Sequence, residues 1–544
     1  MWAILAALIG FFVSIFSLGP ILFQDNVVQD DFRQSYFWVW QYWDPELLKN
    51  DFFINMYQSH LIRTPLLNLI FRLAPHFVSS PVLFSKIMSI FVGTISTLFA
   101  YLFFNAFSKN RTLAFMFAFF MSFVFWSTDH VPNGCTRSFL WAGLYAYLYF
   151  RELKKYYLAS LVNSFLLFIS PFTFLLCLVM EFCNLLLRIS YKALILSLKE
   201  KAKNIVLFLI NVSSVSFLYF VVFKDIKTQA VGKMFTRSEM MSLPEFNVHG
   251  RHEIFGVIKG ETSWFNSKHW GLPVGNLPEI YYILGVIVIL MVLILLLYGY
   301  RKELSRIFQS EPIMLLYSSL TLYFSAQLIF PHLFMPNRYL VVPSLLLVSF
   351  LPFLIVNELI NKKKTNLKIT YFFFAIILVI AVFLIKQIKT TIFVAMTPEI
   401  KSIIEKTPKD SIVAAHPELK DISMVPLIAK RAVLVDSERS IAYSMPELEE
   451  IRRRIKASFK IIYSTDKNEL IKLMNDNGVT HLLVHMKYYM PEYLNTAWYY
   501  RPYNKFLRTL IKDTRNKGYY LESVLRKNNT DYMVVSIEDI KNKF

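Results

Sequence analysis

The chain has 544 residues, of which 55% are hydrophobic and 17% aromatic, with a formal net charge of +20 at neutral pH. No soluble globular fold of this size needs that much apolar surface, so the composition selects an integral membrane protein. The basic excess does not by itself mean nucleic acid, because short cytoplasmic loops of multispan proteins collect lysine and arginine.

The first apolar segment runs from 2 to 23; it lacks a basic leader and is followed by many more apolar runs, so it reads as a retained helix. The later runs lie near 82–107, 112–128, 138–150, 156–187, 204–223, 279–299, 312–330, 339–359 and 369–388. The run 156–187 is too long for one crossing and is interrupted by Ser170-Pro171, which predicts two short helices, Tyr156 to Ile169 and Pro171 to Leu187. The expectation is a polytopic α-helical membrane domain over 1–389 with about eleven spans.

With the N-terminus inside, the cytoplasmic segments are 108–111, 151–155, 188–203, 301–306 and 361–368. They hold 17 Lys or Arg against three acids, Glu152, Glu200 and Glu303. A single crossing at 156–187 would put the basic segment 188–203 outside and break this pattern. The lysine-rich 192–203 reads as an amphipathic cytoplasmic surface helix, and no nucleic-acid partner is expected. The outer side receives the loop 24–81, turns at 129–137 and 331–338, the loop 224–278 and an extracytoplasmic domain over 390–544. The plasma membrane is the expected location.

All ten histidines fall in these outer segments. Spacings such as His249-x-x-His252 and His481-x-x-x-His485 lack the further ligands a zinc site needs, and Cys135, Cys177 and Cys183 supply neither an even disulfide framework nor a metal spacing. Cofactors stay open: a divalent metal is compatible with the sequence and required by none of it. In the C-terminal segment, strand-like runs at Ser411-Ile-Val-Ala-Ala, Ala432-Val-Leu-Val, Thr480-His-Leu-Leu-Val and Tyr532-Met-Val-Val-Ser alternate with helical patterns near 446–458, 467–477 and 502–517. This alternation predicts a small α/β domain with a largely parallel sheet. No glycine-rich phosphate loop follows any strand.

The chemistry-bearing stretch is Asp30-Asp31-Phe32-Arg33-Gln34, about seven residues past the outer end of the first apolar segment. Behind it, Phe32, Tyr36, Val39, Trp40 and Trp43 recur at roughly helical spacing, which predicts an interfacial helix opening on the acidic pair. Two readings of the pair stand side by side: helix capping, for which Asp is a preferred residue, and general-base catalysis by one of the two carboxylates. A carboxylate desolvated beside a like charge gains proton affinity, as a base needs. Arg33, at i+3 to Asp30, is placed to pair with it and to oppose that effect.

An acidic pair just after the first span, a long outer first loop, many further spans and a soluble outer C-terminal domain together resemble the GT-C superfamily of membrane glycosyltransferases. Trp43-Asp44-Pro45-Glu46-Leu47, Asn50-Asp51-Phe52, Arg137-Ser138-Phe139, Met241-Ser-Leu-Pro244-Glu245-Phe246 and Pro336-Asn337-Arg338-Tyr339 resemble a bacterial group within it. The layout is also similar to protein O-mannosyltransferases, which usually show Asp-Glu where this chain has Asp-Asp, and to lipid A aminoarabinose transferases. The resemblance implies a donor sugar on a polyprenyl phosphate, an acceptor hydroxyl on a saccharide, lipid or protein, and Asp30 as base with Asp31 orienting it or binding metal or acceptor.

A leaving lipid phosphate needs a cation. Arg137 and Arg338, each in a short outer turn, are candidates for that role or for snorkelling toward ordinary phospholipid. His332 is either a further donor to the phosphate or structural. The resulting expectation is an inverting glycosyltransferase acting on the outer face. The rival readings are a transporter or flippase of a lipid-linked saccharide, which would draw on ionisable groups deep in the membrane such as Glu181, and a non-catalytic envelope assembly protein.

Overall fold

The computed structural model describes residues 1–54, 56–57, 64–127, 130–187, 233–255, 310–329 and 393–543, with scattered positions in 202–216 and 336–357. The predicted spans 279–299 and 369–388, most of the basic segment 188–203 and His332 lie outside the described residues, as does much of 204–223 and 339–359.

The N-terminal half is a bundle of mostly apolar helices. They are α1 (Trp2–Leu18), the short α2 (Asp30–Ser35), α3 (Pro65–Leu73), α4 (Pro81–Ser108), α5 (Arg111–Ser127), α6 (Phe139–Glu152), α7 (Tyr156–Ile169) and α8 (Pro171–Leu187). After the small helix α9 (Arg237–Ser242), α10 (Glu311–Leu328) returns to the bundle. Among the described residues two helical segments, Trp2–Ile21 and Pro81–Ser108, are long and apolar enough to cross a membrane, while 111–127, 156–169 and 171–184 are shorter apolar helices.

The break predicted at Ser170-Pro171 is present: α7 stops at Ile169 and α8 starts on Pro171. Proline has no N–H to continue the ladder, so a new helix begins where that donor is not needed. Ser80 starts α4 in the same economical way, its hydroxyl accepting from the Leu83 amide at 3.1 Å ahead of Pro81.

Helix α1 packs on α4 and α5, α4 also on α6, α7 on α6 and α8, and α8 on α10. Small residues set the α1–α4 approach: a Cβ on Gly93 would stand 2.5 Å from the Ser14 hydroxyl. The opposite face of α1 exposes Ile4, Leu8, Phe11, Phe12 and Phe16, a surface suited to hydrocarbon. Two buried acids between helices find partners. Glu181 accepts from Tyr147 at 3.1 Å and from Asn211 at 3.0 Å, and Arg151 grips both oxygens of Glu311 at 3.0 and 3.3 Å.

Two sheets follow. The smaller joins β1 (Val27–Gln29) antiparallel to β2 (Phe393–Ala395), pairing Val28 with Val394 across most of the chain's length. The larger has the order β4-β3-β5-β6, from β3 (Ile412–Ala415), β4 (Ala432–Val433), β5 (His481–His485) and β6 (Tyr532–Ser536). Strand β3 runs parallel to both β4 and β5, and β6 closes the edge antiparallel to β5. The predicted strands and the predicted helices near 446–458, 467–477 and 502–517 are all present, the last three as α12 (Met445–Ile462, after α11 at Pro398–Glu405), Lys467–Asp476 and Tyr503–Thr514. Val413, Ala414, Leu482 and Leu483 are buried in the same core as Ile451, Ile455 and Phe459 of α12, and a valine, leucine, isoleucine or phenylalanine fully buried there contributes about 1.5–3 kcal/mol.

The first outer loop departs from the interfacial helix expected of it. Helix α2 ends at Ser35, Tyr36 leaves helical geometry with φ −124° and ψ 11°, and a 3-10 turn continues over Phe37–Tyr42. Phe32, Phe37, Trp38, Val39 and Trp40 are buried inside protein. The C-terminal domain is the cover: the Trp40 indole donates to the Leu427 carbonyl at 2.6 Å and the Lys430 ammonium sits 4.5 Å over its ring. Aromatic residues that would lie in a lipid interface when uncovered here form the floor between the two domains.

Candidate active site

The acidic pair opens α2, but neither aspartate is its cap. Gln29 takes that position: its Oε1 accepts from the Phe32 amide at 2.9 Å and from Asn133 at 3.0 Å. Asp30 and Asp31 therefore occupy the first turn with their side chains released from capping, where the helix dipole favours negative charge.

Each aspartate meets an arginine. Arg33, 4% exposed, donates through Nε to Asp30 Oδ1 at 3.0 Å and closes a second contact to the same oxygen through Nη2. The i+3 pairing expected from the sequence is thus formed. Asp30 Oδ2 has no protein partner among the described residues, and the side chain is 46% exposed, so that oxygen is open to a ligand. Asp31 pairs with Arg137 through Oδ2.

Arg137 is carried by a turn between α5 and α6 that is stapled to the first loop. Tyr36 and Thr136 share a hydrogen bond at 3.1 Å, and Ser138 Oγ accepts from the Cys135 amide at 3.1 Å while donating to the His130 carbonyl at 2.9 Å. Gly134 permits the turn: its φ is +68°, and a Cβ there would overlap the Ser85 carbonyl of α4.

Two further segments close on α2. From the C-terminal domain, the Ser423 hydroxyl accepts from Arg33 Nη1, and Glu438 Oε2 lies 4.0 Å from Arg33 Nη2. The Glu438 carbonyl also accepts from Gln34 at 2.7 Å. From the segment 233–255, Arg251 reaches Glu438 Oε2 at 3.0 Å, and Glu245 is clasped by Arg452 at 2.6 and 2.9 Å. Burial works against the Arg251 charge, but Glu438 outweighs it and raises the guanidinium above its ordinary range. Burial, with Arg251 and Arg338 beside it, pushes His252 down to about 4, so this imidazole is neutral near pH 7.

The charge of Arg338 accordingly reaches His252, whereas Arg137 is paired with Asp31. The expected donor-phosphate set of Arg137, Arg338 and His332 is therefore represented by two arginines against different neighbours, with the histidine outside the described residues.

Beneath the pair lies a cluster that sequence reasoning missed as a unit. Arg439, 1% exposed, is 2.7 Å from Asp436 and 3.6 Å from Asp51. Its guanidinium is sandwiched between the rings of Phe37 and Phe53 at 4.5 and 4.8 Å. Burial pushes the Asp51 carboxyl up, with Arg439 acting against it. The motif Asn50-Asp51-Phe52 and the post-strand Asp436-x-Glu438 both contribute; their meeting across the chain had no local signal.

Among the described residues no group of three His, Cys, Asp or Glu side chains is placed to hold a metal ion. Arginine already engages both α2 carboxylates, a charge arrangement that does not suit a cation.

No family model matches the chain, and no curated protein matches it. Solved structures do. The oligosaccharyltransferase AglB of Archaeoglobus fulgidus, in complex with an inhibitory peptide and a dolichol-phosphate, is 12% identical over 91% of this chain and 70% of its own, with a TM-score of 0.50. The A. fulgidus oligosaccharyltransferase in complex with Zn and sulfate is 12% identical over 94% of this chain and 70% of its own, also with a TM-score of 0.50. At this identity the likeness concerns the fold alone, here a helical bundle followed by an α/β domain.

Proposed function

We propose that this chain is an inverting glycosyltransferase of the plasma membrane. It takes a sugar from a polyprenyl-phosphate carrier and passes it to an acceptor hydroxyl on the extracytoplasmic face. The observation that carries the reading is Asp30 at the head of α2, one oxygen held by Arg33 and the other open, with the phosphate-competent Arg137 two side chains away. The GT-C-like fold supports it, as does the dolichol-phosphate, itself a polyprenyl phosphate, bound by the archaeal neighbour.

Asp30 Oδ2 accepts the proton of the acceptor hydroxyl as that oxygen attacks the anomeric carbon. The bond from the anomeric carbon to the lipid phosphate oxygen breaks on the opposite face, and its electron pair leaves with the phosphate. Arg137 receives the charge that develops there, a role a guanidinium fills through paired N–H donors. The resting Arg137–Asp31 pair keeps that arginine oriented until the phosphate competes for it. Some eleven spans with the N-terminus inside would place this chemistry outside, where nucleotide sugars are absent and lipid-linked donors are needed.

The test uses the purified full chain and membranes from the cells that make it, with radiolabelled undecaprenyl-phosphate glucose, mannose and arabinose offered as donors. Label should leave one of these donors for a membrane acceptor, and Asp30→Asn should reduce that transfer by on the order of 10²-fold or more with unchanged protein level. Full transfer by Asp30→Asn would remove Asp30 from the role of base.

A further inference from the structure

We propose that the C-terminal domain is the positioning element of the candidate base: Ser423 and Glu438 fix the guanidinium of Arg33, and Arg33 fixes Asp30. This rests on the reading of Asp30 given above and extends it to residues far away in sequence.

A guanidinium has its donors in a rigid planar fork, so fixing its two ends fixes everything it holds. Arg33 is 4% exposed and uses three nitrogens. Nε and Nη2 converge on a single oxygen of Asp30, while Nη1 turns the other way to the Ser423 hydroxyl. Ser423 is itself oriented, donating to the Lys420 carbonyl at 2.7 Å, so its lone pair is left to accept. Glu438 stands 4.0 Å from Nη2 and is braced by Arg251 at 3.0 Å.

An arginine held only by Asp30 would be free to follow that carboxylate or to embrace both of its oxygens. Anchored from the other domain, it engages Oδ1 alone and leaves Oδ2 presented outward. This is the relation of a base to the group that orients it. Ser423 and Glu438 touch no reacting atom here; they are positioning residues. They lie 390 and 405 positions beyond Arg33 (423 − 33 and 438 − 33), so the soluble domain contributes to the chemistry of the first loop.

The experiment compares Ser423→Ala, Ser423→Thr and Glu438→Gln with the parent chain and with Asp30→Asn, using the undecaprenyl-phosphate hexose or pentose donor that the parent turns over. Loss of orientation at a reacting group costs on the order of 10- to 100-fold in rate. Ser423→Ala should lower kcat by that factor with the donor KM unchanged, Ser423→Thr should restore it, and melting temperatures in detergent should match. Glu438→Gln, at a partly exposed side chain, should lower kcat in the same direction. If Asp30→Asn is inactive while Ser423→Ala and Glu438→Gln turn over at the parent rate, the positioning role is wrong and the base assignment stands. If Ser423→Ala melts early and Ser423→Thr fails to restore kcat, the contact is only structural and the proposal falls. If Asp30→Asn remains active, both readings fall together.

Discussion

Asp30 and Asp31 are adjacent in the chain but do different work in the fold. One is turned toward Arg33 and the C-terminal domain, the other toward Arg137 and the helical bundle. The first pairing was legible, because i+3 is a local relation on a helix. The second joins residues 106 apart; the sequence flagged both and could not pair them. Capping by Gln29 was illegible for a related reason, since its amide is useful there only once Asn133 arrives to hold it. The cluster of Asp51, Asp436 and Arg439 carries the clearest stability prediction at this scale. Removing one partner of a buried ion pair leaves charge without compensation, typically at about 3–5 kcal/mol. Arg439→Ala should therefore lower stability by that order in denaturant or thermal unfolding, and should expose the first loop to protease. An unchanged midpoint would mean that the two carboxylates are neutral in the fold and need no cation.

Elements fared differently according to where their signal resides. The split at Ser170-Pro171 and the strands of the α/β domain were readable, because proline chemistry and β-branched runs act within a few residues. The aromatic segment after Asp31 was misjudged: its periodicity suits a helix lying on lipid, and only the presence of Leu427, Lys430 and Arg439 above it shows that protein covers it instead. Strands β1 and β2, with three residues each, have no pattern of their own and exist through each other. The outer loop 233–255 offers a test at this scale. His252 is held down to about 4 against an ordinary 6.5, so below pH 6.5 the unfolded chain binds a proton that the folded chain refuses. The stability this gives is complete above pH 6.5 and is lost as pH falls toward 4. Thermal unfolding of the parent chain should drop more steeply from pH 6.5 to 4.5 than that of His252→Gln; parallel curves would show that the imidazole is not kept neutral by its surroundings.

For the molecule as a whole, the division of charge between the two faces of the membrane is the most accessible claim. A cysteine at Lys154, between α6 and α7, should react with an impermeant maleimide only after cells are permeabilised, whereas one at the 58% exposed Lys409 should react in intact cells. The native cysteines, Cys135, Cys177 and Cys183, are all buried, which keeps the background low. Labelling of both positions from outside would overturn the proposed orientation. A helical bundle followed by an α/β domain was legible as layout; how the C-terminal domain seats on the first loop was not, because the contacts that seat it among the described residues span hundreds of positions. The β1–β2 ribbon has a consequence for how the protein comes into being. Gln29 leaves the ribosome 364 residues ahead of its partner Phe393 (393 − 29), a wait of roughly 20–70 s at ordinary translation speeds. Throughout that interval α2 lacks both the strand that pairs with β1 and the Ser423 and Glu438 that flank Arg33, so the contacts that seat the first loop are completed only with the last quarter of synthesis.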